Sequence, residues 1–436
     1  MKITKSSPTI NSFGGINFVI EALNQQNISE LIDNQLCARP PQAEYSYSEV
    51  LLAHYCATLC GAERLEDAEL LRPVWGKIPG FRLPSSDTTG RVLKSLSVED
   101  QEILTDSTTH RINSNIPLNR LLLEMSCHLG ILNSSRKYVL DYDNLIIDHE
   151  KFDSQKTFKF NYGSQPGVAL IGKTPVYVEG RTGNSPAKFR LVDTLTRTFD
   201  LLDEKKINIG AFRSDSAAYQ KEVFELVEER ADHFYIRMRD CAAYLGQCAQ
   251  VDQWQTIRIN HCDYEVASIS YTLTGTNKAY RVVVYRVPNK SGQINLITQD
   301  AYTYLGIITN DWEMEEKELI EFYNQRGAAE TNFDVLNNDF NWSRLPFSDM
   351  CDNTVFLIMG AICKVIYQYI IGAFARVLSF LKPSFRLKNF LFHFMIVPAK
   401  WIRTGGQWVL KLFTDKPYEK CLTEGHCPLS FFEIVA

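Results

Sequence analysis

Between Lys137 and Met238 the sequence alternates strand-like and helix-like stretches, and this order constrains the fold more than any other feature. The strand-like runs are rich in β-branched and aromatic residues, whereas the helix-like runs repeat apolar residues at helical spacing. In chain order they are Lys137–Asp143, Thr157–Tyr162 and Val168–Val178 (strands), Leu191–Glu204 (helix), Ile207–Asp215 (strand), Tyr219–Arg230 (helix) and Phe234–Met238 (strand). Three closely linked strands followed by alternating helices and strands predict an α/β fold, a mixed sheet with flanking helices.

The regions on either side differ in their pattern of helix-like and strand-like residues, which predicts further domains. Residues 1–132 read as an N-terminal helical domain, in which a capping box at Ser46–Glu49 opens one helix and another helix carries Arg91 and Lys94. A helix-turn-helix that binds DNA and a plain helical bundle both fit this pattern. The remaining chain divides into a core in two parts (133–240 and 305–382), an inserted β subdomain (241–304) and a C-terminal helical region (383–436).

The composition describes an ordinary folded protein of the reducing cytoplasm. The formal net charge of −5 argues weakly against a protein coated in nucleic acid, although local basic clusters can still bind one. The eleven cysteines show no pairing rhythm, which suits a cytoplasmic location, and we expect them to be small buried side chains. Residues 1–15 have no apolar stretch of the kind found in a signal peptide.

One segment, Thr354–Leu381, has the length of a membrane span. It contains Lys364 near its centre, and a charge at that position is costly in a lone span. No second apolar segment of this kind accompanies it. The sequence therefore predicts a buried helix that helps to cover the sheet, with Lys364 reaching its rim or an acidic partner, and no membrane association.

A second helix is predicted from the spacing of polar and apolar residues between Leu319 and Phe340. Its polar side chains recur at intervals of three and four residues, so they project in one direction. They are Tyr323, Arg326, Glu330, Asp334 and Asn337. The neighbouring stripe is apolar, which predicts an amphipathic helix at the edge of a buried seam. The pattern fits either a surface helix with an ordinary Arg–Glu pair or a carboxylate held rigidly for a metal ion.

Three acids stand out by their positions relative to these elements. Asp143 and Asp215 each end a predicted strand, and Glu330 lies on the amphipathic helix. Strand ends place side chains at one rim of a sheet, where carboxylates repel one another unless a cation neutralises them. Hard oxygen ligands suit Mg²⁺, with Mn²⁺ as a substitute, and a pair of such ions can cleave a phosphodiester. Asp141 and Asp148 compete with Asp143 for the first position.

Several motifs together resemble the DDE transposases of bacterial insertion sequences, in the group that places Tyr, Arg, Glu and Lys on one helix. Four of them are similar to the insertion-sequence family numbered 1380, in the same order along the chain. They are Ser12–Ile16, Leu140–Asp143, Phe160–Gly163 and Arg213–Ser216. Two positions depart from the family pattern, because Asn337 stands where the family has Lys and Leu145 where it has Thr.

The resemblance implies a ribonuclease-H-like catalytic core with a β insertion between the second and third acids. It further implies a transposase that binds the terminal inverted repeats of its element as a homodimer on double-stranded DNA, cleaves with two Mg²⁺ and joins the ends to target DNA. Asp143, Asp215 and Glu330 would hold the metals. Arg326 would orient Glu330 or hold a phosphate, and Tyr323 would contact the DNA backbone.

Other residues would make the remaining DNA contacts. Arg91 and Lys94 would belong to the N-terminal domain, and Asn337 would replace the end-contacting Lys. Trp254 would stack on a flipped base, although a core position is the commoner outcome for a tryptophan of a small β subdomain. Two alternatives stay open: a ribonuclease-H-like nuclease without strand transfer, and a catalytically inactive domesticated DNA-binding protein.

Overall fold

A computed structural model describes residues 3, 10–273, 277–289, 294 and 296–423. The helices are α1 Ile16–Gln25, α2 Ile28–Leu36, α3 Tyr47–Leu59, α4 Arg72–Trp75, α5 Ser86–Lys94, α6 Ile116–His128, α7 Leu191–Glu204, α8 Lys221–Arg230, α9 Ala242–Cys248, α10 Glu316–Asn324, α11 Ala328–Asp339, α12 Met350–Val377, α13 Leu387–Phe390 and α14 Lys420–Thr423. The strands are β1 Gln101–Leu104, β2 Thr109–Asn113, β3 Lys137–Asn144, β4 Ile147–Asp148, β5 Gln155–Lys156, β6 Tyr162–Ser164, β7 Gly167–Ile171, β8 Thr174–Arg181, β9 Asn208–Ser214, β10 Ala231–Arg237, β11 Gln255–Ile259, β12 Cys262–Thr272, β13 Ala279–Pro288, β14 Tyr302–Thr309, β15 Ala399–Thr404 and β16 Gln407–Leu412.

The chain forms two compact units, each assembled from separate segments. The first contains residues 1–131, 147–154 and 334–436, and the second contains residues 132–146 and 155–333. Helix α11 belongs in part to both units, because the division falls between Phe333 and Asp334.

The first unit is mainly helical, as the sequence predicts for its N-terminal part. A capping box formed by Ser46 and Glu49 opens α3, and the side chain of Ser85 caps α5. Two hairpins depart from the prediction that the N-terminal and C-terminal regions are helical. The pair β1–β2 lies inside the stretch predicted to be helical, and β15–β16 lies between the short helices α13 and α14 in the C-terminal region predicted to be helical. Both depend on pairing between strands, which a local helical pattern does not report.

Helix α12 is the long apolar segment, and it is a core helix of the first unit. By length and composition it could cross a membrane, but 83% of its most apolar window is buried inside the protein. It packs against α6 and α5 of the same unit, whereas the sequence predicts a helix that covers the sheet. Lys364 is buried along it.

The second unit is built on one mixed sheet. The order of its strands is β8-β7-β3-β9-β10-β14-β13-β12-β11. Strands β8, β7 and β3 form an antiparallel meander, and β9 and β10 then run parallel to β3. The run Val168–Val178, expected as one strand, is two strands that turn at Gly172, where φ is +60°. Sequence and structure therefore agree on an α/β fold with a large mixed sheet.

The predicted β insertion is the continuation of that sheet. Strands β11, β12 and β13 pair in antiparallel order with β14, which in turn pairs with β10. A short helix, α9, precedes them where the sequence shows no helical pattern. The turns that the sequence places at 274–277 and 289–292 lie largely outside the described residues.

Helix α10 packs on one face of the sheet. Leu319, Ile320 and Tyr323 of α10 lie in one buried cluster with Ala211 of β9 and Tyr235 of β10. The next residue on β9, Phe212, faces the other side and meets Phe199 of α7 with the ring centroids 6.4 Å apart. Because side chains alternate along a strand, β9 buries one face under α10 and the other under α7.

Candidate active site

The first two predicted acids lie side by side where parallel strands end. Strand β3 pairs with β9 so that Asp141 is opposite Arg213 and Tyr142 is opposite Ser214. The next residue on each strand is an acid, Asp143 on β3 and Asp215 just after β9. The sequence places both acids correctly, because it marks the ends of both strands.

Each of these acids is partly held by the backbone around it. The amide of Asn144 donates to Asp143 Oδ1 at 2.8 Å. The amide of Ala217 donates to Asp215 Oδ1 at 2.9 Å, so Asp215 caps the short 3₁₀ turn that follows β9. These bonds leave Asp143 Oδ2 for another partner, and that partner is a cation.

Arg326 is the cation that meets Asp143. Its Nη1 donates to Asp143 Oδ2 at 2.7 Å, and the two side chains are 20% and 22% exposed. Burial raises the pKa of Asp143 above its usual range, Arg326 opposes that rise, and the charge of Asp215 adds to it. Burial lowers the pKa of Arg326, but Tyr323 and Asp143 outweigh that effect and raise it overall. The arrangement is two carboxylates and one guanidinium at a single rim.

Glu330 does not join this group. The helix predicted to run from Leu319 to Phe340 is interrupted, since α10 ends at Asn324 and a 3₁₀ turn, Gln325–Gly327, precedes α11. Arg326 lies in that turn and pairs with Asp143 rather than with Glu330, which is exposed. A glycine, Gly327, at the junction lowers the helical preference of this stretch.

The donor set therefore fits a divalent metal ion only in part. Asp143 and Asp215 supply hard oxygen donors on neighbouring strand ends, as such an ion requires. Among the residues that the structure describes, no group of three His, Cys, Asp or Glu side chains is placed to hold a metal. Glu330, which is exposed, is not part of such a group.

The competing acids have other environments. Asp141 is buried and forms a two-pronged ion pair with Arg213, with Nε–Oδ1 at 2.7 Å and Nη2–Oδ2 at 2.8 Å. Nη1 of Arg213 also donates to the carbonyl of Phe322 in α10. Asp148 is exposed and belongs to the first unit. Asp143 is thus the acid of β3 that lies beside Asp215.

Arg213 is a site residue to which sequence reasoning gave no role. It ties β3, β9 and α10 together directly behind the two acids. The sequence could have indicated this role, because Arg213 is two residues before Asp215 and residues two apart in a strand face the same side of the sheet.

Two of the predicted DNA contacts are occupied by internal interactions. Tyr323 is buried, and its hydroxyl donates to the carbonyl of Ser214 at 3.2 Å, which fixes the end of β9. Trp254 is half-buried, its Nε1 donates to the carbonyl of Val251, and Arg286 lies 4.3 Å from its ring centroid. Both environments are those of packed side chains, and their contacts with DNA stay predictions.

The remaining predicted contacts lie in the first unit. Arg91 is exposed on α5 and donates to Thr88 of the same helix at 3.2 Å. Lys94 is exposed and lies 3.4 Å from Asp352. Asn337 is half-buried, and its carbonyl accepts a bond from Ser343 at 2.9 Å. A role for these three in binding DNA is not tested by their placement.

Comparison with known proteins places these observations in context. A family model described as Transposase DDE domain group 1 matches residues 1–430. No curated protein matches the sequence. One similar solved structure is entitled "Cryo-EM structure of piggyBac transposase synaptic complex with hairpin DNA (SNHP)", with 9% identity, 87% of this chain and 77% of that chain covered, and a TM-score of 0.43. A likeness this weak supports no argument, whereas the family model spans nearly the whole chain.

Proposed function

The chain belongs to the DDE transposases, in the family described as Transposase DDE domain group 1, and we propose that it transposes the mobile element that encodes it. It binds double-stranded DNA at the terminal inverted repeats of that element, cleaves there and joins the ends to target DNA. Membership of the family implies metal-dependent DNA cleavage and transposition. The insertion-sequence family numbered 1380, in bacteria, is the group within it that we propose.

The observation that carries the proposal is the pair of acids on adjacent parallel strands. Asp143 lies one residue before the end of β3 and Asp215 directly follows β9, and these strands are neighbours at the centre of the mixed sheet. We assign this core as ribonuclease-H-like, because an antiparallel meander is followed by two strands that run parallel to β3, its first strand in chain order. This order brings the ends of β3 and β9 to one rim.

We assign the metal ligands as Asp143, Asp215 and Glu330, with two Mg²⁺ as the ions. The family generally uses divalent metal ions, which supply charge neutralisation and an activated water for phosphodiester cleavage. Glu330 would have to approach the other two acids, and the 3₁₀ turn Gln325–Gly327 is the segment that separates it from α10.

The protein's own side chains prepare the site for a phosphodiester. Arg213 holds Asp141 and the end of α10, so the strand ends stay in register. Tyr323 fixes the carbonyl of Ser214 immediately before Asp215. Arg326 neutralises Asp143 when no other cation is present. A guanidinium at this point is also placed to bind a phosphate oxygen once it leaves the carboxylate.

DNA contacts outside this rim are assigned from the resemblance. Arg91 and Lys94 supply exposed cations from α5, and Asn337 and Trp254 add contacts near the ends of the element. We propose that two copies assemble on DNA as a homodimer in the cytoplasm.

The test is cleavage and joining of DNA that carries the element's inverted repeats, identified in the sequence flanking the gene. Wild-type protein with Mg²⁺ should cleave such a duplex and should join pre-cleaved ends to a second duplex. Asp143→Asn, Asp215→Asn and Glu330→Gln should each lose cleavage by orders of magnitude, non-additively, because the three acids act as one unit. Binding to the ends should survive in all three variants, since phosphate contacts come from cations elsewhere. Cleavage without joining would indicate the nuclease alternative.

A second candidate function is DNA binding without catalysis. It is favoured by the pairing of Arg326 with Asp143 and by the exposure of Glu330 outside the acid pair. Binding of inverted-repeat DNA by wild-type protein, with no cleavage in Mg²⁺ or Mn²⁺, would support it.

A further inference from the structure

A short hairpin beside the candidate active site ends in exposed aromatic side chains. Strands β5 and β6 pair in antiparallel order, with Lys156 opposite Tyr162. Phe158 is 68% exposed, Phe160 is 85% exposed and Tyr162 is 49% exposed. Single exposed apolar side chains are common, but aromatic rings gathered within five residues indicate a surface that meets a partner.

The tip of this hairpin is ordered by its own hydrogen bonds. The amide of Thr157 donates to the carbonyl of Asn161 at 2.8 Å, and the amide of Phe160 donates to the carbonyl of Thr157 at 3.0 Å. Thr157 is buried, and its hydroxyl donates to the Asn161 side chain. Phe160 has φ +68°, a conformation that is uncommon for a bulky residue. The two phenylalanine rings are therefore presented by a preformed turn.

The base of the hairpin is attached to the strand that carries Asp143. The amide of Leu145 donates to the carbonyl of Pro166 at 3.0 Å, and Asn144 Nδ2 donates to the carbonyl of Gln165 at 3.3 Å. On its other side Gly183 packs so closely that a Cβ there would lie 2.5 Å from the carbonyl oxygen of Gln155. The base of the hairpin is thus fixed beside the residues that directly follow the first acid.

Positive charge accompanies the rings. Between Gln155 and Gln165 the chain has Lys156 and Lys159 and no acid, although the whole protein has a net charge of −5. Lys156 Nζ lies 5.7 Å from the ring centroid of Tyr162, and Lys159 Nζ lies 6.0 Å from that of Phe158. Aromatic rings that stack on bases, with cations for the phosphates, are the features that bind single-stranded nucleic acid.

We propose that Phe158 and Phe160 stack on unpaired bases of the DNA next to the cleavage site and hold them out of the duplex. This proposal rests on the proposed function and adds a specificity element to it, namely a preference for unpaired DNA at the site. Because the base of the hairpin is bonded to Asn144 and Leu145, a base held at the tip lies near the strand that is cut at the acids. An apolar docking site for protein would call for a continuous apolar centre with charges at its rim, whereas here the lysines alternate with the rings.

The test compares two probes that differ only in pairing, a fully paired duplex and the same duplex with a short internal bubble that contains 2-aminopurine. Fluorescence anisotropy gives the affinity for each, and quenching of 2-aminopurine reports stacking. Three double variants separate the explanations: Phe158→Ala with Phe160→Ala removes the rings, Phe158→Leu with Phe160→Leu keeps apolar surface, and Phe158→Tyr with Phe160→Tyr keeps the rings. Phe392→Ala, which removes a ring 70% exposed in the first unit, is the matched control.

Wild-type protein should prefer the bubble and quench 2-aminopurine. The Ala and Leu pairs should bind the bubble at least about tenfold more weakly and lose the quenching, because stacking on one base contributes about 1–3 kcal/mol. The Tyr pair and Phe392→Ala should behave as wild type, and binding to the paired duplex should be unchanged in every variant.

Four outcomes would overturn the proposal. Equal losses on both probes, or no loss on either, would show that the rings do not stack on bases. A change in oligomeric state of the Ala pair by analytical ultracentrifugation, with DNA binding intact, would assign the hairpin to a protein contact. Absence of wild-type binding to either probe and to inverted-repeat DNA would overturn the proposed function itself, so the two failures are distinguishable.

Discussion

Replacing Arg326 tests whether this side chain serves as the resident cation of the acid pair. Arg326→Gln keeps much of the side-chain length but removes the charge from Asp143 Oδ2, which lies 2.7 Å from Nη1. Asp143 and Asp215 would then face each other with no cation between them. We expect the metal-free protein to lose stability, and to recover part of it when a divalent cation is added.

The size of the loss follows from the burial of the pair. Two unit charges about 4 Å apart attract by about 4 kcal/mol at an effective dielectric constant of about 20. Desolvation of a partly buried pair offsets some of that attraction, and fully exposed pairs contribute about 0–1 kcal/mol. With both side chains about one-fifth exposed, we expect a loss of about 1–3 kcal/mol in the free energy of unfolding.

The assay is urea unfolding at neutral pH, with and without Mg²⁺. Arg326→Lys keeps the charge but loses the planar fork, so it should fall between wild type and Arg326→Gln. Lys221→Gln is the matched control, because it removes an exposed pair with Glu225 at 3.7 Å and should change stability by less than about 0.5 kcal/mol. The Mg²⁺-dependent gain should be larger for Arg326→Gln than for wild type, since a ligand that binds only the folded state stabilises it. A variant as stable as wild type without metal, with the same response to Mg²⁺, would refute the reasoning.

Three further predictions concern stability. Asp141→Asn should lower the free energy of unfolding by about 3–5 kcal/mol, because it leaves buried Arg213 without its carboxylate. Added metal should not restore this stability. A calorimetric melting temperature equal to that of wild type would contradict the prediction. His54 has a pKa lowered by burial to about 4, so protonation favours the unfolded chain and stability should fall as pH drops from about 6.5 to about 4. Between pH 7 and pH 5 the free energy of unfolding of His54→Gln should therefore fall by about 2 kcal/mol less than that of wild type. Urea titrations of both proteins at both pH values test this, and equal losses would show that the idea is wrong. Gly183→Ala should lower the free energy of unfolding by about 1–3 kcal/mol and increase proteolysis at the base of the β5–β6 hairpin, because its Cβ would lie 2.5 Å from a backbone oxygen. A variant as stable and as resistant to protease as wild type would show that the backbone moves to accommodate the methyl group.

The sequence by itself determined the central architecture and the positions of Asp143 and Asp215 at its rim. Strand and helix periodicity between Lys137 and Met238 is a local property, so it predicted the α/β order before any contact was known. Asp143 and Asp215 follow from the same pattern, because an acid that ends a strand must lie at the rim of the sheet. The sequence likewise predicted that α12 is a buried helix, because its apolar segment contains the charge of Lys364.

Only the tertiary structure decided which charges meet. Asp141 and Asp143 are indistinguishable by sequence position, but the register of β3 on β9 gives one to Arg213 and places the other beside Asp215. Helical spacing pairs Arg326 with Glu330, whereas the 3₁₀ turn at Gln325–Gly327 directs Arg326 to Asp143. The hairpin β15–β16 and the continuation of the sheet through β11 were equally hidden. In each case the deciding energy comes from partners distant in sequence, which local propensity does not contain.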